Sequence, residues 1–281
     1  MADEEQLKTI ATRIRCDIIR MITAAGSGHP GGSLSAADIL AVLYFGGVLI
    51  HDPANPSWDR RDRFILSKGH AAPVLYATLA EAGYFPIEEL ATLRQFESRL
   101  QGHPDMRKLP GVEVSTGSLG QGLSIAAGLA YGLSTSDSDS QVYVLLGDGE
   151  LQEGQVWEAA MFAAHRGLGT LTAIIDNNGL QIDGPNDAVV GLGDIAAKFT
   201  AFGWGVYEVD GHDVKALANA LVVTKALSRA SGTPQVIVAH TLKGRGVSFM
   251  ENQCGWHGKA PNDEQCAAAL AELSLARGEG L

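Results

Sequence analysis

Cysteine is scarce in this chain, three residues in 281, and Cys16, Cys254 and Cys266 show no Cys-x-x-Cys spacing. That excludes a disulfide framework and a cysteine-rich zinc site, and leaves three thiols expected to be buried or idle. Long apolar runs are absent too. The most apolar stretch, Ile39 to Leu49, falls short of the ~20 residues a bilayer requires, and its Gly46-Gly47 pair reads as the end of a buried helix. Positive charge is in deficit: 21 Lys and Arg against 32 Asp and Glu give a formal charge of -11, with no long block of like charges. Nucleic acid is therefore not an expected partner, and neither is a membrane. The opening Met1-Ala2-Asp3-Glu4-Glu5 lacks the basic-then-apolar order of a secretory leader, so a cytoplasmic chain is expected. No internal repeat, low-complexity tract or domain-sized linker is visible.

What is present is apolar and rich in glycine. Hydrophobic residues make up 46% of the chain, enough for one large α/β domain over residues 1–281, with 255–281 forming a turn and a C-terminal helix of unassigned place. Glycine supplies 34 residues, about 12% where roughly 7% is usual. The excess clusters at 26–32, 117–122, 147–154 and 244–258, beside polar residues, as where backbone approaches a ligand.

Ile10, Ile14, Ile18, Ile19 and Ile22 recur at helical spacing and predict a helix over 6–25. Ser35 with Asp38 reads as the capped start of a buried helix through 39–43. Further helices are expected at 73–82, 119–133, 152–164 and 214–226, and from about Asp263. Short β-branched strands are expected at 63–67, 141–146, 170–176, 205–209 and 235–239, and 134–140 reads as a polar surface loop. Alternating strands and helices imply a parallel sheet covered by helices on both faces, with ligands outside the carboxyl ends of the strands.

The most informative segment runs from Val142 into Gly147-Asp148-Gly149-Glu150-Leu151-Gln152-Glu153-Gly154 and then a helix. A carboxylate at such a strand exit can hold a metal ion, the flanking glycines admit a diphosphate, and a helix N-terminus favours the anion. About 30 residues on, the next strand exits into Asp176-Asn177-Asn178-Gly179-Leu180. Asp148, Asn178 and the Leu180 carbonyl form an oxygen set suited to Mg²⁺ or Ca²⁺ when phosphate oxygens complete the shell. Taken singly, Asp-Gly and Asn-Gly are turn formers; two at successive strand exits are far more specific. A dinucleotide site is not supported: Gly117-Ser118-Leu119-Gly120-Gln121-Gly122 reverses the usual glycine order, and no strand precedes it.

Gly-Asp-Gly followed by this Asn is the thiamine diphosphate fingerprint, and the remaining motifs resemble those of the transketolase family. They are Gly28-His29-Pro30-Gly31, Ser67-Lys68-Gly69-His70-Ala71, Gly102-His103-Pro104, Thr116-Gly117-Ser118-Leu119-Gly120-Gln121-Gly122 and Trp256-His257-Gly258, in the family's order over residues 6–260. The resemblance implies that Asp148, Asn178 and the Leu180 carbonyl bind the metal, and that His70, Gly149 and His257 contact the diphosphate. It places Gly117 and Leu119 by the aminopyrimidine, and His29, His103 and His257 along the substrate channel. Glu153 and Glu158 resemble the acidic pair that faces the subunit interface and links two cofactor sites.

Neutral imidazoles suit a sugar channel because they both donate and accept hydrogen bonds. His51, His165, His212 and His240 are read as solvated loop residues, while Lys243 and Arg245 are read equally as anion-binding or solvated. The reaction implied is transfer of a two-carbon ketol unit from a ketose phosphate to an aldose phosphate. The chain ends where a full-length transketolase would continue into its pyrimidine domain. The expectation is therefore the N-terminal subunit of a split enzyme, α₂β₂ with a partner carrying that domain. Alternatives are a subunit of another thiamine diphosphate enzyme, deoxyxylulose phosphate synthase-like or 2-oxoacid dehydrogenase α-like, or a non-catalytic paralogue that binds the cofactor.

Overall fold

The structure, a computed structural model, describes residues 2–136 and 138–276; Met1, Asp137 and the last five positions of the expected C-terminal helix lie outside the described residues. The chain starts with α1 (Glu4–Ala25), opened by a capping box. Asp3 Oδ1 accepts from the Gln6 N–H at 2.9 Å, and Gln6 Oε1 accepts from the Asp3 N–H at 2.9 Å. Two short helices follow, α2 (Pro30–Ser35) and α3 (Ala37–Phe45). Ser35 does not cap α3, contrary to expectation; Ala36 does, with no side-chain bond. The Ser35 hydroxyl donates instead to a buried carboxylate, Asp176 Oδ2 at 2.6 Å, because an ionised acceptor outcompetes a neutral peptide group.

Then come β1 (Arg63–Leu66), α4 (Ala72–Glu81), α5 (Gln121–Ser134), β2 (Val142–Gly147), α6 (Gly154–His165) and β3 (Leu171–Asn177). The sequence pattern leaves unmarked a small hairpin, β4 (Leu180–Gln181) with β5 (Gly184–Pro185), and two short helices, α7 (Asn186–Val190) and α8 (Ile195–Ala201). The chain continues through β6 (Gly205–Asp210), α9 (Val214–Ser231), β7 (Gln235–His240) and α10 (Asp263–Ala276). Boundaries shift where chemistry requires it. α5 begins at Gln121 and not at Leu119, because Gly120 has φ 82. α9 runs past Ala226 to Ser231, where Gly232 turns left-handed at φ 69 and donates its N–H to the Ser228 carbonyl.

The five long strands form one sheet in the order β1-β2-β3-β7-β6, every pair parallel. Alternate residues serve opposite faces. Tyr143 and Leu145 of β2 point into a core built with α1, α3, α4 and α9, whereas Val142, Val144 and Leu146 point into one built with α5, α6 and α8. α10 has a definite place: Ala269 and Leu273 are buried in the α1-side core. After β1 the chain passes onto that same face as α4, and after β2 and β3 onto the opposite face as α6 and α8. Such a divergence opens a crevice at the carboxyl ends. Among the described residues no helix is long and apolar enough to cross a membrane.

Candidate active site

The parallel register sets Gly147 beside Asp176 and Asn177 beside His240, so three strand exits lie side by side. Asp148, 2% exposed, follows β2. Its carboxylate accepts the N–H of Gly149 at 2.8 Å and that of Gly179, which ties the β2 turn to the β3 turn. Burial, and then the charge of Asp176, pushes this carboxyl above its ordinary value.

Asp176 is fully buried and carries the heaviest load of contacts. It accepts from Lys68 Nζ, from the hydroxyls of Ser35 and Thr241, and from Asn178 Nδ2 at 3.3 Å. Burial alone would raise its carboxyl; the Lys68 ammonium and these donors hold it below the usual range. Lys68 in turn donates to the Gly32 carbonyl at 2.8 Å and so anchors α2 over the strand exits. Glu150 staples the other side. It accepts from the Ser67 hydroxyl, from the Gly120 N–H at 2.9 Å and from the Gly147 N–H at 3.0 Å.

Asn178 Oδ1 accepts the N–H of Leu180 at 3.2 Å, and the Leu180 carbonyl accepts from Lys243 Nζ at 3.0 Å. Lys243, 2% exposed, also donates to His257 Nδ1 at 3.0 Å. Burial, reinforced by the nearby Lys68 charge, pushes the Lys243 ammonium down to about 8. Of the two basic residues read either way, Lys243 therefore belongs to the site, while Arg245 is exposed 3.8 Å from Glu251.

Three imidazoles meet above these lysines. Ring centroids are 5.4 Å apart for His29 and His70, 5.5 Å for His29 and His257, and 5.0 Å for His70 and His257. Burial and then Arg94 push His29 down to about 4, burial and then Lys243 push His257 down to about 3, and His70 also lies well below its ordinary value. All three are uncharged at neutral pH. His103 sits at the exposed rim with its ring against Gly117, whose φ of 150 and lack of a side chain are both needed, since a Cβ there would meet the ring at 3.0 Å.

The cavity that these three imidazoles line measures about 210 Å³ and is partly open to the surface. Its wall includes His29, His70, Gly117, Leu119, Asp148, Gly149, Asn178, Leu180 and His257 from the expected set, with Lys68, Glu150 and Lys243 added. Another cavity of about 290 Å³, between His240 and α8, contains none of them. The donor set fits a metal diphosphate. Two buried ammonium groups face the cavity, and the oxygen atoms expected to serve a metal are the Asp148 carboxylate, the Asn178 amide and the Leu180 peptide carbonyl, with the Glu150 carboxylate already taken up by Ser67, Gly120 and Gly147. Among the described residues no three His, Cys, Asp or Glu side chains group to hold an ion, so a hard cation at this wall would need oxygens of a bound phosphate to complete its shell. Buried atoms without a partner, His29 Nδ1 and Gln181 Nε2, belong to residues of the same wall. A Cβ on Gly149 would lie 3.3 Å from both Gln181 Cβ and Asn186 Oδ1, so glycine keeps that backbone open.

The family model described as "Transketolase, thiamine diphosphate binding domain" matches residues 6–277. The chain belongs to the transketolase family. It is 45% identical over 264 residues to the 6-deoxy-6-sulfo-D-fructose transketolase subunit SqwG of Clostridium sp. (strain MSTE9), covering 92% of this chain and 94% of that one. It is 42% identical to an apulose-4-phosphate transketolase subunit of Actinobacillus succinogenes, covering 96% of each. The transketolase of Pongo abelii is 47% identical over 91% of this chain, which spans only 40% of that protein. Among solved structures, transketolase from Campylobacter jejuni superposes with a TM-score of 0.88 at 33% identity, over 99% of this chain and 43% of that one. This fold is therefore the thiamine diphosphate-binding α/β fold of transketolases.

Within the transketolase frame, some expected residues stand apart from the cavity. His103 is at the rim, and Glu153 and Glu158 lie exposed on the α6 segment, outside the cavity wall. Two histidines are not the solvated loop residues expected. His212 Nδ1 donates to Asp38 at 2.7 Å and its Nε2 accepts the Leu242 N–H at 2.8 Å, while His51 packs between Tyr44 and Tyr84. His165 and His240 are exposed as expected but are not in loops: they are the last residues of α6 and β7, and His240 Nε2 lies 2.9 Å from Glu208 Oε2. Lys68, Glu150, Asp176 and the 67%-exposed Ile182 escaped sequence reasoning as site residues. Lys68 and Asp176 stand at the ends of apolar strands just before a glycine-bearing turn, so the signal was a charged residue within a glycine-rich strand exit.

Proposed function

We propose that this chain is the diphosphate-binding subunit of a two-subunit transketolase. In that role it moves a two-carbon ketol unit from a ketose phosphate to an aldose phosphate, together with a partner chain that carries the pyrimidine-binding domain. The observation that carries this reading is the match to subunit-length relatives over 94–96% of their length, supported by one cavity whose wall carries His70, Asp148, Asn178, Leu180 and His257. An α₂β₂ assembly is the expected arrangement, and Glu153 and Glu158, exposed at the start of and within α6, are available to a partner.

In this reading Asp148, Asn178 and the Leu180 carbonyl hold Mg²⁺ or Ca²⁺, a hard ion that matches an all-oxygen set. His70, His257, Lys243 and the backbone of Gly149 hold the diphosphate; Gly117 and Leu119 support the aminopyrimidine. When bound, thiamine diphosphate supplies the electron sink for cleaving the bond between ketose carbons. The protein's own work is orientation. His29, His103 and His257, uncharged, hydrogen-bond the sugar hydroxyls and hold each proton where the bond change needs it. Lys68 and Asp176 fix the floor on which those groups stand.

The decisive experiment is calorimetry of thiamine diphosphate with Mg²⁺ on this chain alone and mixed with its partner, with xylulose 5-phosphate cleavage scored in parallel. Tight binding and turnover only in the mixture support the split enzyme. Turnover by this chain alone at rates typical of the class would refute the shared site, and absence of cofactor binding even in the mixture would refute the functional reading.

A further inference from the structure

The rim segment 93–103 leaves ordinary backbone space at Arg94, whose φ is 59. Glycine and asparagine occupy that region readily and arginine does not, so a long side chain held there signals a constraint from outside the loop. The segment holds a second such residue, Glu97 at φ 64, but of the two it is the Arg94 side chain that bonds to the stretches carrying His29 and His103. Its backbone N–H closes the loop on the Leu100 carbonyl at 2.9 Å. Its side chain then reaches the turn between α1 and α2 on one side and the far end of its own segment on the other. Nη1 donates to the Ser27 hydroxyl at 3.0 Å, two residues before His29, and Nη2 donates to the Gly102 carbonyl at 3.5 Å, next to His103. The guanidinium lies so close on Gly102 that a Cβ there would stand 3.0 Å from Cζ.

We propose that Arg94 is a positioning residue that straps the His29 loop to the His103 loop and thereby fixes the spacing of the two imidazoles that face the sugar. Its left-handed backbone is the conformation from which one guanidinium reaches both loops. Arginine suits this task because its planar fork presents several donors in fixed directions, whereas a lysine ammonium is a point charge on a flexible stem. The Arg94 charge also disfavours a proton on either ring, which keeps both uncharged beside the strap. The strap rests on the proposed transketolase reading for its link to substrate, and on geometry alone for its effect on the two histidines.

Two substitutions separate the side chain from the backbone. Arg94→Gly relieves the left-handed φ, so the thermal midpoint of the chain stays level or rises. In the same variant the imidazole ¹H–¹³C resonances of His29 and His103 shift and broaden, while those of His165 and His240 stay in place. With the partner present, kcat/KM for the ketose falls roughly 10- to 100-fold at unchanged thiamine diphosphate affinity. Arg94→Lys keeps the charge and loses the fork, and shows the same direction. Unmoved His29 and His103 resonances in Arg94→Gly, or a full kcat/KM in either variant, overturn the strap. If the wild-type pair transfers nothing, it is the transketolase reading that fails, and the resonances still decide the strap.

Discussion

The floor of the cavity and its rim are held by opposite means. At the floor, Lys68, Asp148, Asp176 and Lys243 are all buried, and each charge answers another charge, fixed N–H donors or, for Lys243, fixed acceptors. At the rim, His103 is exposed, and an exposed arginine in a left-handed conformation does the joining. A buried charge network cannot lose one member without leaving another unpaired in a low-dielectric interior, so floor and fold are energetically one object. The rim can change without the core noticing. Loss of a floor charge that pairs with another, as in Lys68–Asp176, should therefore register in stability and cofactor binding together, loss of one that faces only N–H donors, as at Asp148, mainly in cofactor binding, and alterations at the rim in substrate kinetics alone.

The largest effect expected is that of Asp176→Ala, which strands the Lys68 ammonium. Chemical unfolding should show a loss of roughly 3–5 kcal/mol, with cofactor binding abolished; a loss below ~1 kcal/mol would mean that water reaches this pair and that the floor is no different from the rim. Next comes Asp148→Asn, which removes a charged acceptor without leaving an unpaired cation. Affinity for thiamine diphosphate with Mg²⁺ should fall about 100-fold by calorimetry while the unfolding midpoint changes little, dissecting the floor into a structural and a binding part.

A pH series gives a smaller signal. Because the folded His29 ring titrates at about 4 against an ordinary 6.5, the unfolded chain binds the extra proton between those values. Its contribution to stability is thus present above 6.5 and is lost as pH falls toward 4, and His29→Gln should flatten the slope of unfolding free energy by about one proton in that window. An unaltered slope would show that the ring is hydrated and belongs with the rim. The smallest change is predicted for Phe96→Ser. At 93% exposure the ring can be removed within about 0.5 kcal/mol, and a drop of several degrees in midpoint would break the separation of rim from core.

The same division explains what could be read from the sequence. The five strands and the long helices follow from periodicity, because each is determined by residues a few positions apart. Asp148 and Asn178 are legible because each sits in a turn signal directly after an apolar strand. Asp176 is the counterexample. Its role depends on the register that sets it beside Gly147 and on Ser35, Lys68 and Thr241 arriving from three other segments, and no local pattern encodes that convergence. Ser35 carries a capping pattern and yet serves Asp176, since tertiary charge outweighs a local cap. His212 lacks any motif, and only folding brings it between Asp38 and the Leu242 N–H. Lys243 stood undecided for the same reason: burial, a property of the whole chain, is what separates it from Arg245.

The position of β7 has a further consequence, for biosynthesis. β7 is the last strand in chain order among the described residues, yet it lies inside the sheet between β3 and β6. Until it emerges from the ribosome, β3 keeps an open hydrogen-bonding edge and β6 has no neighbour, and Lys243 and His257 follow later still. A nascent chain therefore carries an exposed, aggregation-prone β3 edge until β7 has been made, and can gain no affinity for a ligand at the strand exits until nearly the whole domain has been synthesised.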